Sequence, residues 1–197
     1  MLESLEEQAR RYATRAHAEA GQRRKYTDEP YIVHPAAVAE LVRSVSADDA
    51  LLAAAWLHDT VEDTATTLAD IESHFGSRVA QLVGMLTDSA QPQAKNRAAR
   101  KLAHFRHTAE ASPEAQTIKL ADIIDNTRAI VRFDPHFARI YLVEKRVQIQ
   151  LLKQGDAQLW QQASAIIEQG IAQLGQPPYS VPESWFVKQA AKYGELS

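Results

Sequence analysis

Apolar positions along this chain recur with the period of an α-helix, and no run sustains the strict alternation of a half-buried strand. Glycine, the commonest interrupter of helices, is scarce at 7 of 197 residues. The pattern predicts helices near 3–20, 35–45, 48–63, 67–74, 76–88, 94–110, 113–131, 136–154 and 156–174, with ends good to a few residues. Several starts carry recognisable signals. Pro35 suits the first helical position after His34, and Pro135 the same position after Asp134. Ser112-Pro113-Glu114 reads as an N-cap, a proline at the first helical position and an acid in the first turn. The segment GQPPYSVPE at 175–183, with three prolines, reads as a tethered loop and not as a linker to another domain. No repeat or low-complexity tract interrupts the series. The expectation is one all-α domain over 1–197, a bundle of about nine to ten helices.

One predicted helix, 48–63, ends unusually. WLHDTVEDT (56–64) leaves an apolar run and gathers a histidine and three carboxylates within six residues. On a continuous helix His58, Asp59, Glu62 and Asp63 would sit at roughly 0°, 100°, 40° and 140°, all on one side. Carboxylates four apart repel, so helix stability gives no reason for the cluster. A divalent metal in front of them does.

Composition narrows the field. Charged residues make up 24% of the chain and the formal net charge is −3, so there is no global cationic field of the kind that drives nucleic-acid binding. There are no cysteines, which excludes disulfides and thiolate metal sites and fits a cytoplasmic protein. The N-terminus lacks the apolar core of a signal peptide, and no run approaches the roughly 18 apolar residues of a membrane span. A soluble monomer or homodimer without membrane or nucleic-acid partners is expected.

Three separated stretches offer ligands: PYIVHPAAVA around His34, HDTVEDT at 58–64, and IKLADIIDNT at 118–127. His34, His58, Asp59 and Asp122 give two imidazoles and two carboxylates, a set suited to manganese, iron, zinc or a magnesium-like ion. An octahedral ion held by four protein ligands keeps two positions open, as a hydrolytic site needs. Asp122 and Asn126, four apart, share a helix face. Arg23, Arg24 and Lys25 stand in a Gly-initiated loop ten residues before His34. KNRAARKLAHFRH (95–107) holds five Lys/Arg, two His and no acid, a local cationic wall fit for a multiply charged nucleotide.

The HD pair with an upstream His and a downstream Asp resembles the HD phosphohydrolase superfamily. The longer strings AHAEAGQRRKYTDEPYIVHPAAVA (16–39), AAWLHDTVEDT (54–64) and IKLADIIDNTRAI (118–130) resemble the hydrolase domain of RelA/SpoT proteins over about residues 5–155. With no synthetase or regulatory region following, the chain is similar to the stand-alone small alarmone hydrolases of the metazoan SpoT-homologue type. The C-terminal helix and Pro-rich tail (156–197) lie beyond the resemblance. It implies manganese at His34, His58, Asp59 and Asp122, and cleavage of the 3′-pyrophosphate of (p)ppGpp-type nucleotides. Glu62 and Asp63 then handle the attacking water, Arg24 and Lys25 contact the substrate, Asn126 lies near the ribose, and Tyr141 falls about where the family keeps an aromatic in the nucleoside pocket. From the basic wall, Lys95 and Arg97 are the better candidates for phosphate contacts.

Two positions depart from the family pattern. Ile123 stands where a basic residue is usual, and Asp125 where Tyr or His is frequent. Removing a cation and adding an acid is expected to weaken contacts with a phosphate-rich substrate or to retune base preference, so adenine alarmones such as (p)ppApp stand beside (p)ppGpp. NADPH as a phosphate-bearing analogue, and a catalytically silent nucleotide sensor, are the competing readings; a silent form is expected to lose Glu62 or Asp63, and both are present. His17, His74, His104, His107 and His136 carry no motif and are read as structural or surface, and Trp56 and Leu57 as core.

Overall fold

A computed structural model of the protein describes residues 1–88 and 96–194. Among these the chain is all helical: α1 (Leu5–Glu19), α2 (Val33–Arg43), α3 (Asp49–Leu57), α4 (Thr60–Asp63), α5 (Leu68–Phe75), α6 (Ser77–Leu86), α7 (Arg97–Ala109), α8 (Pro113–Thr127), α9 (Ile130–Phe133), α10 (Pro135–Ile149), α11 (Ala157–Leu174) and α12 (Glu183–Ala190), closed by a short 3₁₀ turn at Ala191–Tyr193. Ten of these run eight residues or more, and α4 and α9 are single turns.

Two helices form the buried axis. In α3 every residue from Leu51 to Leu57 is buried, as expected of a helix that is apolar all round. The run Ala53-Ala54-Ala55 has no side-chain bulk, so α1, with Ala9 and Ala13 inward, and α2 pack close against it. Asp48 caps α3 by accepting from the Ala50 and Leu51 amides, while Asp49 accepts from the Leu5 and Glu6 amides at 2.9 Å each and so caps α1 from the neighbouring helix. The second axial helix, α8, buries Ile118, Leu120, Ala121, Ile123 and Ile124. α2, α6, α7 and α11 pack around it.

The periodicity located these elements, and the structure corrects several ends. The predicted 48–63 helix breaks at His58-Asp59, and the predicted 113–131 helix breaks at Arg128-Ala129. α10 stops at Ile149, short of 154. Pro35 occupies the third helical position, because α2 already starts at Val33; the Ser112-Pro113 and Asp134-Pro135 starts fall as read. Beyond the Pro-rich loop the chain forms α12, which the sequence reading left out. Phe186 and Tyr193 are buried and belong to the same hydrophobic cluster as the axial helices. Arg146 on α10 bridges Glu168 on α11 and Glu183 on α12 at 2.6 and 2.7 Å.

Candidate metal centre and nucleotide cleft

The two axial helices and the start of α2 converge on one point. His34 lies in the first turn of α2, His58 and Asp59 in the break between α3 and α4, and Asp122 in the middle of α8. One donor atom from each lies within 4.8 Å of the others. The pairs are tight: His34 Nε2 is 2.8 Å from Asp122 Oδ1, and His58 Nε2 is 3.1 Å from Asp59 Oδ2 and 3.5 Å from Asp122 Oδ1.

Each of these side chains is held from behind. Asp125 Oδ2 lies 2.6 Å from His34 Nδ1, and His58 Nδ1 donates to the Ala55 carbonyl at 2.7 Å, which turns both Nε2 atoms inward. Tyr31 donates its hydroxyl to Asp59 Oδ2 at 2.6 Å, and Lys119 Nζ donates to Asp122 Oδ2 at 2.9 Å. Asn126 Nδ2 donates to Asp122 Oδ1 at 3.0 Å. Outer partners of this kind fix tautomer and orientation at metal sites.

Electrostatics agree with a cation. Burial alone would push Asp122 and Asp59 up, yet Lys119 and the histidines hold Asp122 well below the usual carboxylate range, and His58 holds Asp59 down to about 2. Burial likewise disfavours a charged His58, but Asp59 and Asp122 overcome it and raise its pKa well above the ordinary imidazole value. His58 Nε2 is buried without a hydrogen-bond partner. An orphaned imidazole nitrogen facing two ionised carboxylates is the donor set a divalent metal ion satisfies, and the four side chains fit one.

Glu62 and Asp63 sit at the exposed rim on α4. The Glu62 carboxylate accepts from the Asp88 amide. Partial loss of solvent around each group, together with the Asp59 charge, raises both above the ordinary carboxylate value.

Two cavities flank the cluster. On the Asp125-Asn126 side is a cleft of about 350 Å³ walled by Tyr26, Phe133, Phe137 and Tyr141 and edged by Arg24 and Lys25. Tyr26 and Phe133 are stacked at 5.7 Å. Arg24 donates to Asn126 Oδ1 at 3.1 Å and lies 3.6 Å from Asp125, and its loop is pinned by the Arg24 amide donating to the Glu29 carbonyl at 2.8 Å. On the other side, a cavity of about 170 Å³ is lined by His58, Asp59, Glu62, Lys101, His104, Lys119 and Lys145, among others.

Most side chains singled out from sequence therefore meet at this place: the four cluster residues, Glu62, Asp63, Arg24, Lys25, Asn126 and Tyr141. Arg97 does not. Its guanidinium is committed to Glu144 at 2.7 Å and lies 5.4 Å over the Phe137 ring. Lys95 lies outside the described residues. From the same basic stretch Lys101 and His104 line the smaller cavity instead. Asp125 also differs from expectation, for its carboxylate serves His34 and is flanked by Arg24 and Arg128. Spacing carried a signal for Lys119 and Asp125, each three residues from Asp122 and on its face. Nothing in the local sequence marks Lys145.

Comparison with known proteins gives a consistent family. A family model described as HD domain matches residues 9–150. The mouse protein named guanosine-3′,5′-bis(diphosphate) 3′-pyrophosphohydrolase MESH1 is 41% identical over 123 residues, covering 61% of this chain and 67% of its own. The human protein of the same name is 40% identical over 127 residues, with 63% and 68% covered. The guanosine-3′,5′-bis(diphosphate) 3′-pyrophosphohydrolase of Aquifex aeolicus is 36% identical over 110 residues, 56% of this chain but 16% of that longer protein. A solved structure of a metazoan ortholog of SpoT, described as hydrolysing ppGpp, superposes with a TM-score of 0.75 at 30% identity, covering 86% of this chain and 97% of that one. The chain belongs to the HD domain family and stands among its SpoT- and MESH1-like members.

Proposed function

We propose that this protein is a manganese-dependent 3′-pyrophosphohydrolase of purine alarmones, (p)ppGpp or (p)ppApp, acting as one HD hydrolase domain. One observation carries the reading: a cluster of two imidazoles and two carboxylates lies between an aromatic cleft and a lysine-lined cavity, with an acid pair at its rim. The names borne by its relatives point the same way.

His34, His58, Asp59 and Asp122 hold the ion, which when bound supplies Lewis-acid stabilisation of phosphoryl charge and lowers the pKa of water. The purine enters the cleft between Tyr26, Phe133, Phe137 and Tyr141, where stacking accepts either base. Arg24 and Lys25 at its edge bind phosphate, and Asn126, held between Asp122 and Arg24, orients the ribose. Glu62 then takes a proton from the attacking water, whose oxygen bonds to the α-phosphorus of the 3′-diphosphate. The bond from that phosphorus to the 3′-oxygen breaks, Asp63 returns a proton to the 3′-oxygen, and pyrophosphate departs carrying the water's oxygen. The reading is of a monomer or homodimer, and the lack of cysteine suits the cytoplasm.

The test is direct. Full-length protein with manganese is incubated with ppGpp, ppApp and NADPH, and products are separated by anion exchange. Pyrophosphate with GDP or ADP is expected, abolished by EDTA and restored by manganese. Release of only inorganic phosphate from NADPH, or unchanged turnover in EDTA, overturns the reading.

A further inference from the structure

Phe137, Tyr141 and Glu144 follow one another at spacings of four and three residues and so share a face of α10. The first two wall the aromatic cleft. The third, one turn on, is fully buried, and three donors converge on its carboxylate. Arg97 supplies two of them, Nε to Oε1 at 2.7 Å and Nη2 to Oε2 at 3.2 Å. The Tyr193 hydroxyl is the third, donating to Oε1 at 3.2 Å. Tyr193 comes from the 3₁₀ turn after α12, well outside the residues 9–150 that the family model matches. It is buried, and its ring packs 6.1 Å from that of Phe105 on α7.

The same guanidinium lies 5.4 Å over the Phe137 ring, which also has Lys25 Nζ at 5.5 Å and the Tyr141 ring at 5.7 Å. A cation over an aromatic face is attracted to it. Yet 45% of the Arg97 side chain is exposed, and an arginine in that setting has many rotamers open to it. The two-bonded fork to Glu144 selects one of them. Glu144 is in turn steadied by the bond from Tyr193. A line of contacts thus runs from the 3₁₀ turn through Glu144 and Arg97 to one wall of the cleft. No residue of the His/Asp cluster takes part in it.

We propose that Glu144 and Tyr193 are positioning residues for nucleotide binding: they hold Arg97 against Phe137, so that the C-terminal turn fixes one wall of the aromatic cleft. The proposal rests on the reading of that cleft as the nucleoside site. It assigns Arg97 a part in binding through Phe137 and not through phosphate. It also makes the segment after α11 part of the site, although none of its side chains lines the cleft.

The experiment uses the full chain with manganese, well below its thermal midpoint. Calorimetry gives Kd for GDP and ADP, and kinetics give kcat and KM for ppGpp and ppApp, in the unaltered protein, Tyr193→Phe and Glu144→Gln. Tyr193→Phe keeps the ring on Phe105 and removes one hydrogen bond. Kd and KM should rise about 3- to 10-fold, the scale of that bond, with kcat within about twofold. Glu144→Gln breaks the charged fork and should raise both about tenfold or more. A role in stability alone would lower the thermal midpoint and leave Kd and KM unchanged, and that result overturns the proposal. A double-mutant cycle checks the route. With Phe137→Leu in place, Tyr193→Phe should add less than about twofold to Kd, and a full additional rise overturns it. If circular dichroism shows that Glu144→Gln does not fold, Tyr193→Phe and the cycle decide. Should the unaltered protein bind GDP or ADP but cleave neither alarmone, the hydrolase reading fails and the Kd values alone decide the proposal. Binding of neither nucleotide overturns it.

Discussion

Replacing Asp125 by asparagine tests whether this acid serves the metal or the substrate. Its Oδ2 lies 2.6 Å from His34 Nδ1, and the His34 side chain is fully buried at 0% exposure. With a carboxylate there, Nδ1 is held by Asp125 and Nε2 is directed at Asp59 and Asp122. Asparagine keeps the volume and an acceptor oxygen but loses the charge. Loss of such an outer partner typically weakens metal binding about 10- to 100-fold, or about 1.4 to 2.8 kcal/mol. Asp125→Ala should cost more, because it leaves a buried N–H unsatisfied, itself about 1 to 3 kcal/mol. Calorimetric titration of metal-free protein with manganese at fixed pH measures the effect, with ppGpp KM followed at saturating metal. The opposite account makes Asp125 an acid that repels phosphate, as its departure from the family pattern first implied. On that account manganese affinity stays within twofold in both variants while KM falls, and that result would refute the reasoning.

Glu62→Gln should fold, keep metal and lose about 10²- to 10⁴-fold in kcat, the usual range for one acid–base group; near-normal turnover would transfer the step to Asp63. Arg24→Ala is expected to raise KM far more than it lowers kcat, since it removes a phosphate-binding cation together with the 3.1 Å contact that steadies Asn126; a kcat collapse at unchanged KM contradicts that role. Asp48→Ala removes the α3 cap and the partner of Arg78 at 2.6 Å, and urea denaturation at pH 7 should show a loss of about 1 kcal/mol. The Arg78 hydrogen bond lowers the folded-state pKa of Asp48, so its contribution is present above the unfolded carboxylate value and fades as pH falls through the folded one. The difference between Asp48→Ala and the unaltered chain should therefore narrow in acid; a constant gap from pH 7 to pH 3 argues against the ion pair.

The four residues of the His/Asp cluster were legible because metal-ligand chemistry permits few residue types, and the His, His-Asp and Asp strings occur in three recognisable contexts. The outer partners were half legible. Lys119, Asp125 and Asn126 lie on the Asp122 face of α8 by spacing alone, yet spacing does not say that Asp125 turns to a histidine 91 residues away. Lys145 was invisible, since its relation to the cluster exists only once α10 packs against α7 and α8. Arg97 misled for the converse reason: a basic residue on a basic helix looked free, and its partner Glu144 is distant in sequence and buried. The α12 helix was missed because three prolines at 175–183 resemble an ending, whereas its anchor, Phe186, is a single apolar contact without a periodic run.

The break at His58-Asp59 shows why the local rule failed where it did. The Leu51–Leu57 run is apolar throughout and would extend as a helix on pattern alone. In the structure Asp59 sits near φ −102° and ψ −3°, outside regular helix, and α4 restarts with no side-chain cap. Thr60, buried, ties the restart back by donating to the Leu57 carbonyl at 2.8 Å. A straight helix separates His58 from Asp59 by about 100°, which would leave one of them turned from the metal point. Breaking the axis between them lets His58 Nε2 and Asp59 Oδ2 come within 3.1 Å, and carries Glu62 and Asp63 to the rim on a turn of their own. The other ligand helix, α8, stays continuous because Lys119, Asp122, Asp125 and Asn126 already fall within about a third of its circumference. One helix of the centre is regular because its spacing suffices; the other departs from regularity where two adjacent residues must reach the same point.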